Sequence, residues 1–357
     1  MNRSSFKKGV VAFVVLAAVA SCKKDKPFTE LEPVEGTLVA EVGDELKNEI
    51  YLDLSEGKAV TIPVNAWDIA FESSGGFAVK VNSAKKSAVW NTGQTDFDAV
   101  TEPSATPGAF VFDKTENETG GTAIGAWGSN GVSDKKVYVI NLGLNPPSST
   151  TGIGYKKFII EGFENNTYKL RYANMDGSGE KTVQIPVNKN KNYTYYSMQT
   201  DAVVEIEPDK GKWDILIAGY TRPGGGPPPY SFVISVGAIV NTYGGVRVAV
   251  DNPGKDLEDS DDPEAPVNTF PSSNSRYDQV TVADYSSLQP SDNPLSIGSD
   301  WYQILQPHRN GNYKIYDWKT YILKDVDGRY FKLKFLAYKG GPNITKGYPT
   351  FEYKEIR

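Results

Sequence analysis

Phe331, Leu333 and Phe335 alternate with Lys332 and Lys334, the period-two pattern of a strand with one buried and one wet face. A second apolar run, Tyr321–Leu323, lies just upstream, and Val326-Asp327-Gly328-Arg329 separates the two. Asp-Gly supplies the positive φ of a tight turn, so Tyr321–Leu323 should pair back on Tyr330–Leu336. After a loop bearing Gly and Pro, Thr350–Tyr353 gives a third short strand. The unit expected is antiparallel with an aromatic inner face.

The pattern has an upstream echo. Phe158–Tyr172 aligns without a gap on Tyr321–Phe335, placing Tyr168, Leu170 and Tyr172 under Phe331, Leu333 and Phe335. Lys169 and Arg171 fall under Lys332 and Lys334. Trp67-Asp68-Ile69-Ala70-Phe71 and Trp213-Asp214-Ile215-Leu216-Ile217 precede the two hairpins in the same order. Each follows a similar lead-in, Tyr51–Ile62 and Tyr196–Ile206. Ordered agreement of three blocks argues for a tandem duplication.

Other short strand candidates are Val39–Val42, Ile50–Leu54, Val60–Val64 and Phe77–Val81 in the first repeat, with Ser231–Val240 and Gly245–Val250 in the second. Val137–Leu142 is apolar throughout, as in a strand covered on both sides. Residues 91–135 are rich in Gly, Thr, Asn and Asp, a loop long enough to be functional or mobile. Thr221–Pro229 carries three Gly and four Pro, which suits neither helix nor central strand. Tyr277–Leu288 is the best candidate for a short helix. The expectation is a mainly β protein: two related antiparallel β-sheet domains, 36–191 and 192–357, with long Gly/Pro-rich loops. Composition agrees, since 21 Tyr, 15 Phe and 6 Trp suit a turn-rich β fold.

The first residues are read as an address label. Arg3, Lys7 and Lys8 form a positive region, Gly9–Ala20 an apolar one, and Val19-Ala20-Ser21-Cys22 a lipobox-like end. The apolar run is too short to span a bilayer as a helix, which needs roughly 20 residues. Residues 1–21 are therefore expected to be a lipoprotein signal, Cys22 the lipidated residue and 22–35 a tether. Cys22 is the one cysteine in the chain, so no intramolecular disulfide is available. Removing residues 1–21 takes three positive charges from 38 basic and 44 acidic side chains, deepening the net charge from −6 to −9. An acidic surface argues against a nucleic-acid partner. Membrane contact should come through the lipid.

Asp251–Pro266 is acidic. It can be a calcium loop or a solvated acidic loop, and it lacks the regular ligand spacing of known calcium loops. No metal site is expected. Enzyme chemistry finds little support: there is no Gly-x-Ser-x-Gly elbow, no His/Cys cluster, no phosphate loop and no dinucleotide fingerprint.

The lipobox, the Trp-Asp-Ile strands and the closing Tyr321-Ile-Leu, Asp327-Gly-Arg-Tyr-Phe-Lys-Leu-Lys-Phe335 and Gly347-Tyr-Pro-Thr-Phe-Glu-Tyr353 resemble the HmuY-like lipoproteins. The resemblance covers most of 193–357 and, more loosely, 36–190, where Lys181–Pro186 stands in place of the Gly-Tyr-Pro ending. It implies a β-rich lipoprotein on the outer membrane, facing outward and capturing heme for iron acquisition. The partners it implies are heme or another small ligand, a host heme protein or an outer-membrane receptor. Axial ligands in heme-binding members are pairs of His or Met. Here the places after the two Trp-Asp-Ile strands hold Glu72 and Ser73, or Ala218 and Gly219. His308 is the one histidine, so a bis-His site within one molecule is impossible. The candidate heme ligands are His308, Met175 and Met198, and Phe77, Trp90, Trp127 or Tyr220 could hold a flat porphyrin by its apolar faces. The alternative is a surface module for a glycan, peptide or partner protein on the same fold.

Overall fold

The structure, a computed structural model, describes residues 33–103, 108–113, 121–223, 232–255, 275–304 and 313–357. Pro33–Arg357 forms one compact unit. The first half of the chain supplies β1 (Glu35–Val39), β2 (Asn48–Asp53), β3 (Lys58–Pro63), β4 (Ile69–Glu72), β5 (Val79–Val81) and β6 (Ala88–Asn91). After these come β7 (Gly128–Ser129), β8 (Val132–Ser133), β9 (Tyr138–Asn141), β10 (Tyr155–Glu164), β11 (Thr167–Asn174) and β12 (Lys181–Pro186). The second half supplies β13 (Tyr193–Ser197), β14 (Ala202–Val204), β15 (Ile215–Pro223), β16 (Phe232–Val240), β17 (Arg247–Asp251) and the helix α1 (Val282–Ser287). It closes with β18 (Tyr302–Ile304), β19 (Tyr313–Ile315), β20 (Thr320–Lys324), β21 (Tyr330–Gly340) and β22 (Thr345–Ile356). The protein is mainly β, and every strand pair is antiparallel.

The closing hairpin forms as its alternation dictates. Tyr321 pairs with Leu333 and Leu323 with Phe331. Gly328 takes φ +83° in the turn, while the Asp325 carboxylate accepts from the amides of Asp327 and Arg329. Gly347 has a separate reason to be glycine. Its φ is +90°, and a Cβ there would lie 2.2 Å from the Gly43 carbonyl oxygen. That close approach lets β1 add to β22 and fixes the Gly-Tyr-Pro ending.

The echo is structural. β12-β11-β10-β9 repeats β22-β21-β20-β17, and β14-β13-β4-β5 repeats β3-β2-β15-β16. The gap-free alignment of the hairpins needs one correction. With Tyr168 set on Phe331, Leu170 faces Ile160 whereas Leu333 faces Tyr321. The first strands are therefore offset by two residues: the first turn is the tight Asn165-Asn166 pair, both at positive φ, three residues shorter than the second, and the bulge between Ile160 and Gly162 takes one of the three back.

The lead-in hairpins are exchanged. β2, from the first lead-in, pairs with β15 of the second repeat; β13, from the second, pairs with β4 of the first. Strand pairing thus crosses the 191/192 division twice, and β1 crosses it again by joining β22. The cores follow the pairing. Ala40, Val42, Ile50, Leu52 and Leu54 pack with Ile215, Val236, Leu333, Phe335 and Phe351, whereas Ile69, Phe71, Tyr168, Leu170 and Tyr172 pack with Tyr196 and Met198.

Other expectations resolve similarly. β9 is covered on both sides: its Tyr138 and Ile140 enter one core group and its Val139 another. The helix expected over Tyr277–Leu288 is a 3-10 turn, Tyr277–Gln279, followed by α1, whose start is closed by reciprocal bonds between Thr281 and Asp284. β15 runs on through Thr221–Pro223, but there β16 is its one strand partner among the described residues, with Thr221 bonded on the other side to Ser83, and such an edge is where proline is tolerated.

Lys332 is a correction. Expected on a wet face, it is 5% exposed, and its ammonium donates to the carbonyls of Tyr277 and Asp278. The first repeat has a similar latch built from a different strand: Lys157, on β10 rather than on β11, donates to the carbonyls of Phe97 and Val100, both at 2.9 Å. Phe97-Asp98-Ala99-Val100-Thr101 and Tyr277-Asp278-Gln279-Val280-Thr281 are thus a further repeated block, the first inside residues 91–135, expected to be a functional or mobile loop, and the second at the start of the helix candidate Tyr277–Leu288.

Candidate functional site

Each Trp-Asp-Ile does three jobs at the junction of the halves. The Ile enters the sheet, the Asp holds the end of the other repeat's lead-in, and the Trp packs on that lead-in. The Asp214 carboxylate accepts from the amides of Leu54 at 2.8 Å and Val326 at 3.1 Å. The Asp68 carboxylate accepts from the amides of Met198 at 2.7 Å and Gln199 at 3.3 Å, and from Lys85 at 2.6 Å. Leu54 and Met198 are therefore equivalent, which sets Tyr51 on Tyr195 rather than on Tyr196. Burial lowers the Lys85 pKa and pushes the Asp214 carboxyl up to about 7.

Between the exchanged strands lies a cleft of about 100 Å³. Tyr51, Trp67, Tyr195 and Trp213 line it, with Glu49 and Glu207. The Glu207 carboxylate accepts from the amides of Asn192 and Tyr193 and from the Tyr195 hydroxyl at 3.3 Å. Glu49 accepts from Trp67 Nε1 at 3.5 Å. Glu49 and Glu207 are 4% and 3% exposed, and burial pushes both up to about 7. The same burial, with these carboxyls nearby, holds the Tyr51 and Tyr195 phenols well above their usual range. Lys80 sits with its ammonium 3.8 Å over the Tyr193 ring. The repeat breaks symmetry here. Tyr193 stands where the first lead-in has Glu49, and Trp213 Nε1 is buried with no hydrogen-bond partner among the described residues. Asn192 Oδ1 is in the same position.

A wider polar basin of about 640 Å³ lies beyond the end of β15, lined by Tyr220, Arg222, Ser299, Tyr302, Ile304 and Tyr316 among others. Tyr220 donates to Ser299 Oγ at 3.0 Å, and Arg222 Nε to Ser235 Oγ at 2.6 Å. Burial raises the Tyr220 and Tyr302 pKa values, so both phenols stay protonated.

Met198 is buried in the first repeat's core beside Tyr172 and Tyr196, and Met175 is half-buried in the separate group of Phe97, Val100 and Trp90. Neither lines the cleft or the basin. His308 and Cys22 lie outside the described residues, as does most of the acidic stretch after Lys255. The four aromatics offered as a porphyrin face are not brought together. Trp127 is buried against Phe77, Trp90 belongs to the Met175 group, and Tyr220 lies between cleft and basin. Among the described residues no three His, Cys, Asp or Glu are grouped as a metal site, and no helix is long and apolar enough to cross a membrane. Glu49 and Glu207 were missed by the sequence reading. The available signal was alternation, which puts Glu49 on the Tyr51 face of its strand.

A family model described as HmuY protein matches residues 45–187 and again 189–353. No curated protein matches. Among solved structures, the chain is similar to a protein of Bacteroides vulgatus described as HmuY-like and heme-binding, at 15% identity and TM-score 0.22, covering 90% of this chain and 91% of that one. It is also similar to one of Bacteroides fragilis described as a lipoprotein, at 11% identity and TM-score 0.22, over 91% and 92% of the two chains. The apo HmuY analogue of Tannerella forsythia gives 11%, 0.20, and 92% and 98%. At those scores the superpositions add nothing to the family match.

Proposed function

The chain belongs to the HmuY family, matched once over each half, and from that premise we propose a lipid-anchored outer-membrane binding protein, not an enzyme, that captures a heme-class ligand at the cell surface. Its working unit is the pair of repeats, each completed by the lead-in hairpin of the other. The observation that supports the ligand class is the basin at the end of β15. Its tyrosines offer ring faces, and Arg222 offers a cation for a propionate. It lies just past Ala218 and Gly219, which occupy the place of a family axial ligand. Ile304, on its wall, directly precedes the segment that contains His308.

Hemin titration followed by absorbance tests this reading. A sharp Soret band lost in His308→Ala, Met175→Ala or Met198→Ala identifies a coordinated site, and weakening in Arg222→Ala places it in the basin. Coordination should be mixed and weaker than bis-His, since a thioether is the softer partner. A spectrum indistinguishable from free hemin at micromolar protein sends the function to a non-heme ligand. One observation favours that second reading: the central cleft has buried carboxyls and neither His nor Met on its wall.

A further inference from the structure

We infer that the central cleft is a second binding site, specific for a compact primary ammonium compound held between Glu49 and Glu207. The inference rests on the binding-protein reading but not on heme. Space comes first. At about 100 Å³ the cleft has room for roughly seven waters, counting ~15 Å³ for each. A tetrapyrrole is several times larger, so a small occupant is required.

The polar groups define its chemistry. Three carboxyls are buried on the wall: Asp113 is taken up by the amides of Val81 and Ala123, which leaves Glu49 and Glu207 for a ligand, and Asn192 Oδ1 is a further acceptor, left without a donor. The cations acting on Glu49 are Lys80, engaged over the Tyr193 ring, and Lys85, bound to Asp68; Lys191 donates to the Glu207 carbonyl and pairs with Glu205. None makes a salt bridge to Glu49 or Glu207 among the described residues. An ammonium group supplies the missing donors and charge at once, and its N–H bonds suit Glu49, whose bond from Trp67 is long at 3.5 Å. The aromatic walls favour a cation over a neutral guest. Trp213 Nε1, a buried donor without a partner, calls for an oxygen on the same molecule. An amino alcohol or amino acid of a few heavy atoms meets each requirement.

Ethanolamine is the probe, with ethylene glycol as its uncharged counterpart. Tryptophan fluorescence should change saturably with ethanolamine and not with the glycol. Affinity should rise from pH 6 to pH 8 as Glu49 and Glu207 ionise, facing Lys80, Lys85, Lys191, the Asp113 carboxyl and the neutral phenols of Tyr51 and Tyr195. Glu49→Gln and Glu207→Gln should each weaken binding at least tenfold, with an unchanged near-UV circular dichroism spectrum. Lys80→Ala should bind several-fold tighter, a gain that misfolding cannot imitate. No saturable response in wild type, or an equal response in Lys80→Ala and both Gln variants, overturns the inference. Hemin added to the same samples separates the two readings. A Soret response without an ethanolamine response removes only the cleft, and the reverse removes only heme.

Discussion

Trp67 and Tyr195 meet edge to face, with ring centroids 4.9 Å apart at 82°, although they come from opposite repeats. Tyr51 and Trp213 make the same contact at 5.0 Å and 89°. Each tryptophan therefore anchors the lead-in hairpin borrowed from the other half.

Truncating either tryptophan to Ala should cost about 3–5 kcal/mol. The two are 5% and 6% exposed, so most of each ring is lost from a packed junction. Because the hairpins are exchanged, both repeats should unfold in one transition in wild type and in either variant. Two resolved transitions by calorimetry would argue against coupling through the exchange. Residues 192–357 alone should fail to fold, since β15 would lose β2 and the core would lose Ala40–Leu54.

Lys85 and Asp68 form an ion pair with both side chains fully buried. Lys85→Met should cost about 3–5 kcal/mol, because the Asp68 charge would stay buried with only neutral donors around it, the amides of Met198 and Gln199, the Gln199 side chain and the Ser197 hydroxyl. Adding Asp68→Leu should give no recovery. The amides of Met198 and Gln199, which Asp68 satisfies, would then be unpaired. Urea denaturation of the single and double variants checks this, and recovery in the double would show that the amides find other partners.

Stability should fall from pH 5 to pH 8. Glu49 and Glu207 have folded pKa values near 7 against an ordinary 4.5. A carboxyl raised in this way supports the fold below its unfolded pKa, and that support is lost as pH climbs through 7. The loss is on the order of 3 kcal/mol per group at about 1.36 kcal/mol per unit. Glu49→Gln and Glu207→Gln should flatten the profile. Equal pH slopes in wild type and both variants would mean that these carboxyls are better solvated than their burial implies.

The two hairpins, the Asp-Gly and Gly-Tyr-Pro signals of the second and the repeated Trp-Asp-Ile were legible because each is a local pattern. Alternation tells a strand which face is buried, but not which strand it will pair with. For that reason β2 could be recognised while its pairing with β15 could not, and β13 could be recognised only in part, as the start of the lead-in Tyr196–Ile206. Lys332 was misplaced on similar grounds. A lysine's long stem lies on apolar surface as readily as in water, and only the carbonyls of Tyr277 and Asp278 decide where its charge goes. The equivalence of Tyr51 with Tyr195 needed the Asp214 and Asp68 bonds, since β13 has tyrosines at 193, 195 and 196.

Replacing Cys22 by Ser should release the protein from membranes into the soluble fraction. The expectation rests on the positive, apolar and Val-Ala-Ser-Cys order of the first 22 residues. Radiolabelled fatty acid incorporation into wild type and not into the variant provides the check. Membrane association that survives the substitution would require another anchor.

The latches give the most local prediction. Lys157 and Lys332 each place a buried ammonium on two carbonyls of a covering segment, with the ring of Phe97 or Tyr277 4.7 or 4.8 Å from the nitrogen. Burial lowers the Lys332 pKa, which identifies its site as poorly hydrated. Methionine would keep the stem's packing and remove the donors, leaving two carbonyls unpaired. Each substitution should cost about 2–4 kcal/mol, in line with charge-assisted bonds of roughly 1.5–3 kcal/mol. The effect should also be confined. Lys157→Met should speed amide exchange over 95–101 and leave 275–281 unchanged, and Lys332→Met should do the reverse, since the two latches share no partner. Faster exchange in both segments from one substitution would show that each latch is part of the global fold rather than a local clasp.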